Sequence, residues 1–507
     1  MEHTFLSLSF LVLIPLIPMF LILSPFFPRS AIIVRRFTKW FAGVHFLYSY
    51  LFILFFDQNL ISLSYKNEFS IFNMSWIKTL GIKADFALDG LSIIFCILTT
   101  FIFFIALIVS KYAIKTKHKL YYSMMLLLET SILGVFCSND MFLLFMFLSL
   151  SIIPLYFLIL NWGGSQKEAD KFFIFNIIGN MFILFGILIL YSYSFSASGV
   201  LSGSIESIDF DEISNPIWLQ ILTFMCFIIG FGTKFPIFSL HSFITKIQEN
   251  SPMPVNIILS SVFYNIGLYG IIRFNMLIFP TTFKTMALIF MILSIVGIIH
   301  CSINAFIQNN IKRIIFYLSV VFVNFIMIGL TTFTIEGIKG SIFMAIAVSL
   351  IFSMLYLISG IIYLRTNTFD INELGGLARK SEKLMYFSIF ICLAVTGLPF
   401  LIMFPPELMI ITGTFTTKLL DEIPFFIGGI VTIFSLILVA FSVMRFLHGI
   451  FFGNMLTKFS NVKDISMSEF ISLLGITIPI LILGIVPSVL INIYESFIWL
   501  TMNILRI

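Results

Sequence analysis

Apolar runs of membrane-spanning length recur along the whole chain, separated by short polar segments. Each run is close to the roughly 20 residues that a helix needs to cross the hydrocarbon core of a bilayer. The runs are apolar on every face and lack the alternation of barrel strands, so they predict helices. We predict fourteen spans, at about residues 5–28, 40–56, 90–111, 119–138, 140–161, 171–196, 217–247, 254–275, 284–306, 312–333, 339–364, 383–415, 424–448 and 469–493.

The composition agrees with this pattern. Of the 507 residues, 60% are hydrophobic and 10% are charged, and the mean hydropathy is +1.10. Such a chain has too little polar surface to coat a water-soluble globule. Its basic residues are scattered between the runs and form no patch with aromatic residues, which argues against nucleic-acid binding. The predicted fold class is therefore an all-α polytopic membrane protein in contact with membrane lipids.

The basic residues are distributed unevenly between alternate loops. Loops after odd-numbered spans carry 19 lysines and arginines, whereas loops after even-numbered spans carry seven. Because positively charged loops stay on the cytoplasmic or matrix side, the odd loops are predicted there. An even number of spans then places both termini on the opposite side. The first run lacks a basic leader and a small-residue cleavage site, so we expect the first helix to be retained.

Spans seven and twelve are interrupted by proline. Span seven reads FGTKFPIFSLHSFITKIQENSPMP, with Lys234 two residues before Pro236, and span twelve reads GLPFLIMFPPELMIITG, with Pro406 just before Glu407. Proline removes a backbone donor and clashes with the preceding turn, so both helices are predicted to unwind locally. At membrane depth, unwound backbone is tolerated only inside protein or beside water. Paired broken helices in corresponding positions indicate an internally repeated transporter with sites near the midplane.

Lys234 is the first candidate for proton transfer. A charge near the bilayer centre costs roughly 2.5–3.5 kcal/mol on insertion scales, so it seldom persists without a role. Burial makes the charged form of an amine costly, which lets a lysine load and release a proton. The alternative is that the helix ends near Phe235 and Lys234 reaches the interface. The apolar sequence PIFSLHSFI on the C-terminal side of Phe235 favours the first interpretation.

Two glutamates are further candidates. Glu407 is the complementary group at the second break, because the protonation of a buried carboxyl depends on its neighbours. Its alternative is a loop glutamate after a short helix that ends at Pro405. Glu129 lies near the middle of span four with no charged neighbour in that span. The alternative for Glu129 is a packed carboxyl that is permanently protonated.

The histidines and cysteines carry weaker signals. His241 follows the first break and is either a proton relay or a satisfied hydrogen-bonding residue, while His45 and His300 lie in apolar runs and are interpreted as structural. No histidines are spaced as a metal cluster, and no cysteine pair has C-x-x-C spacing. Neither a metal site nor a redox centre is therefore predicted in this chain.

Several segments carry a family resemblance. KFPIFSLHSFITK, which starts at Lys234, is followed by SPMPVNIILSSVFYNIGLYGIIRF through Phe274, and supporting marks are DGLS at 89–92, IIPLYFLI at 152–159 and IKRIIFYLS at 311–319. These segments resemble the antiporter-like subunits of NADH:ubiquinone oxidoreductase (respiratory complex I), whose broken-helix lysine stands at Lys234. Chains 2 and 5 of that complex typically carry a lysine at the position of Glu407, which favours chain 4.

The resemblance implies two inverted five-helix repeats, at spans four to eight and nine to thirteen. We accordingly expect helices 1–3 within residues 1–118, the first repeat at 119–278, the second at 279–452 and the helix 14 region at 453–507. It also implies that this chain holds no cofactor and that NADH, FMN, iron–sulfur clusters and ubiquinone belong to other subunits. The expected partners are other membrane-arm subunits, including chains 2 and 5. The expected location is the mitochondrial inner membrane, with both termini on the intermembrane-space side.

Four titratable positions of the family carry other residues here. The fifth-span glutamate falls on Ser149, the eighth-span lysine on Asn265, and two histidines of later spans on Phe322 and Val348. We hypothesise that Glu129 replaces the missing glutamate as the partner of Lys234. The expected function is proton translocation by a membrane-arm subunit of complex I. The alternatives are a non-pumping scaffold subunit of the same arm and a cation/proton antiporter subunit.

Overall fold

The computed structural model describes residues 5–55, 72–198, 203, 216–237, 240–417, 422–454, 457–459 and 462–505. These residues form a nearly all-helical bundle, which confirms the predicted fold class. Within them, 11 helices are long and apolar enough to cross a membrane. Two shorter apolar helical stretches, Ser9–Leu23 and Ile217–Gly232, accompany them.

The first half of the chain contains α1 (Phe5–Leu13), α2 (Leu16–Leu23), α3 (Ala31–Phe55), α4 (Gly90–Ala113), α5 (His118–Cys137), α6 (Met141–Trp162), α7 (Gln166–Ser198), α8 (Ile217–Gly232), α9 (Ser242–Asn250) and α10 (Met253–Met276). The second half contains α11 (Pro280–Ile307), α12 (Ile311–Thr331), α13 (Ile335–Thr366), α14 (Glu382–Val395), α15 (Phe404–Thr416), α16 (Glu422–Phe451), α17 (Met467–Ile485) and α18 (Ser488–Leu505). The pairs α8–α9 and α14–α15 are the two broken helices, which the prolines of spans seven and twelve predicted.

A short β-hairpin between α3 and α4 was not predicted. Strand β1 (Phe72–Ile77) pairs antiparallel with β2 (Ile82–Phe86). The carboxylate of Asp140 accepts a hydrogen bond from the Lys83 backbone N–H at 3.1 Å and two more from the first turn of α6. Asp140 is therefore both the N-cap of α6 and the anchor of the hairpin.

Hydrogen bonds join the loops that follow odd-numbered spans. The guanidinium of Arg35, in the first turns of α3, donates to the carbonyl of Ile114, after α4, at 3.0 Å. The guanidinium of Arg365, at the end of α13, forms an ion pair of 2.7 Å with Glu469, at the start of α17. These contacts place the loops after spans one and three together, and likewise the loops after spans eleven and thirteen.

The loops after even-numbered spans meet one another in the same way. Arg273, near the end of α10, forms an ion pair with Asp89, which also caps α4 through the Ser92 amide at 2.8 Å. Thr417, after α15, donates to the carbonyl of Thr332, after α12, at 2.9 Å. Neither set of contacts mixes odd with even loops, so successive spans run in opposite directions, as the alternating basic residues predicted.

The predicted end of span fourteen is wrong. Helix α17 ends at Ile485, and α18 is a distinct helix that begins at Ser488, with Pro487 between the two. The Tyr494 hydroxyl donates to the carbonyl of Lys339 at 3.2 Å, and the Lys339 ammonium pairs with Glu495 at 3.3 Å. Lys339 lies in the first turns of α13. Helix α18 therefore packs at the end of α13 where the even-numbered loops meet.

Two other predicted boundaries also differ. Span two begins at Ala31, nine residues before the predicted start, because a polar stretch that includes Arg35 and Thr38 is helical at the end of the bundle. The helical part of span one ends at Leu23, before the predicted end at residue 28, and is interrupted at Pro15. Interior proline explains that interruption.

Candidate proton-transfer site

Lys234 lies at the point where the first broken helix unwinds. Helix α8 ends at Gly232, and the Lys234 amide still bonds to the carbonyl of Phe231 at 2.9 Å, as in a tightened last turn. The Lys234 side chain is completely buried. The alternative that Lys234 reaches the membrane interface is therefore wrong.

The ammonium of Lys234 is held by neutral partners. Its Nζ donates to Asn180 Oδ1 on α7 at 2.7 Å and lies 3.4 Å from Thr233 Oγ1. Asn180 Nδ2 in turn donates to Ser149 Oγ on α6 at 3.3 Å. Ser149 is the position where the resemblance places a glutamate, so a neutral chain from Lys234 through Asn180 reaches that position. No ion pair within 4.0 Å joins Lys234 to a carboxylate in the described part of the chain.

Glu129 pairs with a histidine. Its Oε1 lies 2.8 Å from Nδ1 of His45 on α3, and both side chains are completely buried. The other ring nitrogen of His45 bonds to the carbonyl of Leu11 at 3.0 Å. Glu129 makes no direct ion pair with Lys234: Lys234 bonds to Asn180, and Glu129 bonds to His45. No sequence signal indicated the His45 contact, since 84 residues separate the partners.

Helix α10 packs against the first break with irregular turns. Residues 259–263 and 271–276 are π-helical and flank Asn265. A Cβ atom on Gly267 would stand 2.6 Å from the Phe235 amide nitrogen, so glycine is required for this close approach to the backbone beside Lys234. The Asn265 amide donates to Ser349 Oγ on α13 at 2.9 Å. Single π-turns inside helices are frequent at functional sites.

The positions matched to family histidines are apolar and packed. Phe322 is completely buried, and its ring centroid lies 5.7 Å from that of Phe325 and 6.0 Å from that of Phe352. Val348, the second such position, is also buried. In this region the chain has a phenylalanine cluster where the resemblance places titratable groups.

Sequence reasoning missed a buried amide on α9. Gln248 Nε2 donates to the Tyr264 hydroxyl at 2.8 Å, and the Tyr356 hydroxyl donates to Gln248 Oε1 at 2.5 Å. Tyr264 is also hydrogen-bonded to Ser319. These bonds tie the second half of the broken helix to α10, α12 and α13. A single glutamine in the segment KIQEN carries no sequence signal for such a network, because its two tyrosine partners come from two other helices.

Two cations close the end of α9. The ammonium of Lys312 donates to the carbonyls of Glu249 at 2.9 Å and Ser251 at 2.7 Å, and it lies 4.4 Å from the centre of the Phe369 ring. Arg313 forms an ion pair of 2.8 Å with Glu249. Positive charge at a helix C-terminus is stabilising. This contact explains why the IKR segment lies beside the first broken helix.

Glu407 occupies the second break. Helix α14 ends at Val395 and α15 begins at Phe404, which places Glu407 in the first turn of α15. The side chain is buried, and its Oε1 has no hydrogen-bond partner among the described residues. Gly397, whose φ is +68°, packs against the carboxyl group. The alternative of a loop glutamate after a short helix is therefore wrong.

His241 lies just before α9 and is buried. Its ring centroid is 5.7 Å from that of His300 on α11, so the two histidines are neighbours in space. Cys96 and Cys137 are also brought together, with their sulfur atoms 3.5 Å apart. In the described part of the chain, no group of three or more histidine, cysteine, aspartate or glutamate side chains is arranged to hold a metal ion.

Comparisons with known proteins agree with this architecture. The family described as NADH:quinone oxidoreductase/Mrp antiporter, transmembrane, matches residues 138–435. NAD(P)H-quinone oxidoreductase chain 4 1 of Synechococcus sp. (strain JA-2-3B'a(2-13)) is 30% identical over 502 residues, covering 96% of this chain and 91% of that protein. NADH-ubiquinone oxidoreductase chain 4 of Marchantia polymorpha is 28% identical over 490 residues, covering 95% and 94%.

A solved structure has the same fold. A chain in respiratory complex I from Thermus thermophilus with bound NADH superposes with a TM-score of 0.84 at 21% identity, covering 98% of this chain and 99% of that chain. Together with the family match over residues 138–435, the sequence relatives settle the classification. This chain belongs to the NADH:quinone oxidoreductase/Mrp antiporter family of membrane proteins.

Proposed function

We propose that this chain is a membrane-arm subunit of a proton-translocating NADH:quinone oxidoreductase and that Lys234 and Glu407 carry its protons. Relatives named chain 4 or subunit M of this enzyme complex support the assignment. The observation that carries the proposal is the completely buried Lys234 at an unwound helix end, bonded to neutral groups. An ionisable group at membrane depth is costly and marks a transport path.

The arrangement suits reversible protonation. Lys234 follows the C-terminal end of α8, where the helix dipole favours a cation, and Glu407 lies at the N-terminal end of α15, where it favours an anion. Because the partners of Lys234 are neutral, its proton can leave without separating an ion pair. Glu407 likewise has a buried oxygen with no partner among the described residues, and a buried acceptor favours a hydrogen-bond donor such as water.

Asn265 interrupts the titratable path between these two groups. An asparagine amide does not bind and release protons near neutral pH, but Asn265 and Ser349 are polar and bonded to one another. Ordered water beside such groups conducts a proton across the interruption in this proposal. We further propose that Glu129 gates the first half of the path and that His241 is a relay beside the first break.

The proposed setting rests on the family resemblance of the sequence and on the distribution of basic residues between its loops. We place the chain in the mitochondrial inner membrane as a multi-pass protein, surrounded by lipid and bordered by chains 2 and 5, with both termini on the intermembrane-space side. The proposed repeats are residues 119–278 and 279–452, between the N-terminal helices of 1–118 and the C-terminal region of 453–507. NADH, FMN, the iron–sulfur clusters and ubiquinone are assigned to other subunits.

Replacement of Lys234 tests the proposal directly. The intact complex with Lys234→Met is reconstituted into vesicles, and the number of protons translocated per NADH oxidised is measured. We expect this ratio to fall, because methionine fills the same space and cannot bind a proton. The matched control is Lys246→Met, which removes an exposed lysine from α9. An unchanged ratio in fully assembled Lys234→Met complex would overturn the proposal.

A scaffold that no longer pumps is the second candidate function. The packing of Phe322 against Phe325 and Phe352 favours it, because an apolar cluster stands where the family has a histidine. The same experiment separates the two candidates. A scaffold keeps the wild-type proton ratio in Lys234→Met and loses only complex assembly when its packing is disturbed.

A further inference from the structure

The His45–Glu129 pair lies outside the hydrogen-bond chain of Lys234 and is built as a site of its own. Its two side chains come from α3 and α5, and a third helix, α1, supplies the carbonyl of Leu11. The ring of Phe41, one turn before His45, stacks on the imidazole with centroids 5.6 Å apart. The imidazole is therefore held on one face and at both nitrogens.

The hydrogen bonds fix where the protons are. A carbonyl oxygen can only accept, so Nε2 of His45 must carry the hydrogen that bonds to Leu11. The 2.8 Å contact between Nδ1 and Glu129 Oε1 then needs a second hydrogen, because a bare nitrogen lone pair and a carboxylate oxygen would repel each other. That hydrogen belongs either to a carboxylic acid or to an imidazolium. In both cases the pair holds one proton more than neutral histidine and ionised glutamate would hold.

We propose that His45 and Glu129 form a second proton-binding site of this chain, which stores one proton between Nδ1 and Oε1. The uncharged arrangement, with the carboxylic acid donating to the imidazole, is the resting state, since no charge is then buried. The proton moves by breaking the O–H bond of Glu129 and forming an N–H bond on His45, and it returns by the reverse step. The storage of a proton here is independent of the proposed function. Only its use in translocation rests on that function.

The second carboxyl oxygen of Glu129 provides a route by which protons can reach or leave the site. Glu129 Oε2 is buried and has no hydrogen-bond partner among the described residues. A buried acceptor left unpaired costs about 1–3 kcal/mol, so this oxygen favours a bound donor such as a water molecule. A proton that arrives through that donor reaches the carboxyl group without opening the His45 contact.

Infrared spectroscopy of the intact complex tests the site without relying on pumping. Spectra of wild type are compared with those of Glu129→Gln and His45→Phe in ordinary and heavy water at one pH. We expect a carbonyl stretch of a protonated carboxylic acid that shifts in heavy water and is lost in Glu129→Gln. In His45→Phe the same band should remain and move to higher frequency, because its hydrogen-bond acceptor has been removed.

The controls separate the possible outcomes. Glu382→Gln removes an exposed glutamate of α14 and should leave the band unchanged. If neither a carboxylic-acid band nor an imidazolium band differs between wild type and Glu129→Gln, the proposal is overturned. His45→Phe provides a second reading should Glu129→Gln fail to assemble, since an unshifted band there also overturns the shared proton. Normal pumping by Lys234→Met would refute the proposed function and leave this infrared result standing.

Discussion

At the first broken helix, Lys234 follows the C-terminal end of α8, whereas at the second, Glu407 lies in the first turn of α15. The carbonyl end of a helix carries partial negative charge and the amide end partial positive charge. Each ionisable group therefore sits at the helix end that favours its charged form. In this chain, the charge at each break therefore complements the helix end beside it.

The two breaks differ in how the charged group is held. Lys234 bonds to Asn180 and Thr233, and the backbone next to it packs closely against Gly267 of α10. Glu407 has one oxygen without a partner among the described residues, and its unwound segment packs against α17. The first break is thus held by polar side chains. The second leaves its carboxyl free to exchange hydrogen-bond partners.

The largest expected effect on proton pumping comes from Glu407→Gln. Glutamine keeps the size and polarity of the side chain but cannot ionise, so the second break loses its only titratable group in the first turn of α15. We expect protons translocated per NADH to fall as far as in Lys234→Met. The measurement is the same vesicle assay, with Glu382→Gln on α14 as the matched control. Wild-type pumping by Glu407→Gln would show that the two breaks do not act as equivalent proton carriers.

A smaller effect is expected from Asn180→Leu. This change removes the 2.7 Å acceptor of Lys234 and leaves the amine without its main partner, which costs about 1–3 kcal/mol. We expect a lower unfolding temperature and partial loss of pumping. The matched control is Asn176→Leu, one turn earlier on α7, because buried Asn176 bonds to the Phe172 carbonyl instead.

A double variant shows whether Asn180 acts through Lys234. If it does, Asn180→Leu should add little to the loss already caused by Lys234→Met, since contacting residues are not additive. Additive losses would mean that Asn180 supports the fold of α7 independently of Lys234. The bond from Asn180 would then contribute little to holding Lys234 at the first break.

The sequence was sufficient for the features that depend on local chemistry. Proline beside a lysine or a glutamate predicted both breaks, and the spacing of basic residues predicted the alternation of the spans. Both signals can be counted along the chain without knowing which helices pack together. The hairpin was missed because its anchor, Asp140, lies at the start of α6, more than 50 residues along the chain.

The contacts that the sequence did not predict join distant helices. Glu129 was assigned to Lys234 from its position one span earlier, but the packing of α3 on α5 brings His45 to its carboxyl group. Gln248 was missed for the same reason, because Tyr264 and Tyr356 reach it from other helices. The sequence alone identifies the polar residues that lie in apolar runs. It does not identify their hydrogen-bond partners, because tertiary packing determines them.

The smallest expected effect on pumping comes from the glycines that touch each break. A Cβ atom on Gly267 would stand 2.6 Å from the Phe235 nitrogen, and one on Gly484 of α17 would stand 2.6 Å from the Leu401 Cα atom. Both Gly→Ala changes push on unwound backbone, so each should lower the free energy of unfolding by about 1–3 kcal/mol.

The matched control for these glycines is Gly475→Ala, whose Cβ would meet only Ile105 at an ordinary 3.5 Å. Because alanine favours helix over glycine by about 1 kcal/mol, this control should be neutral or slightly stabilising. Thermal unfolding of the purified complex compares the stabilities of the three variants. If the first break is the more firmly held, Gly267→Ala should also reduce pumping by moving the backbone beside Lys234, whereas the backbone at Phe400 and Leu401 can yield in Gly484→Ala. Equal pumping losses in the two variants would mean that both breaks are held with the same rigidity.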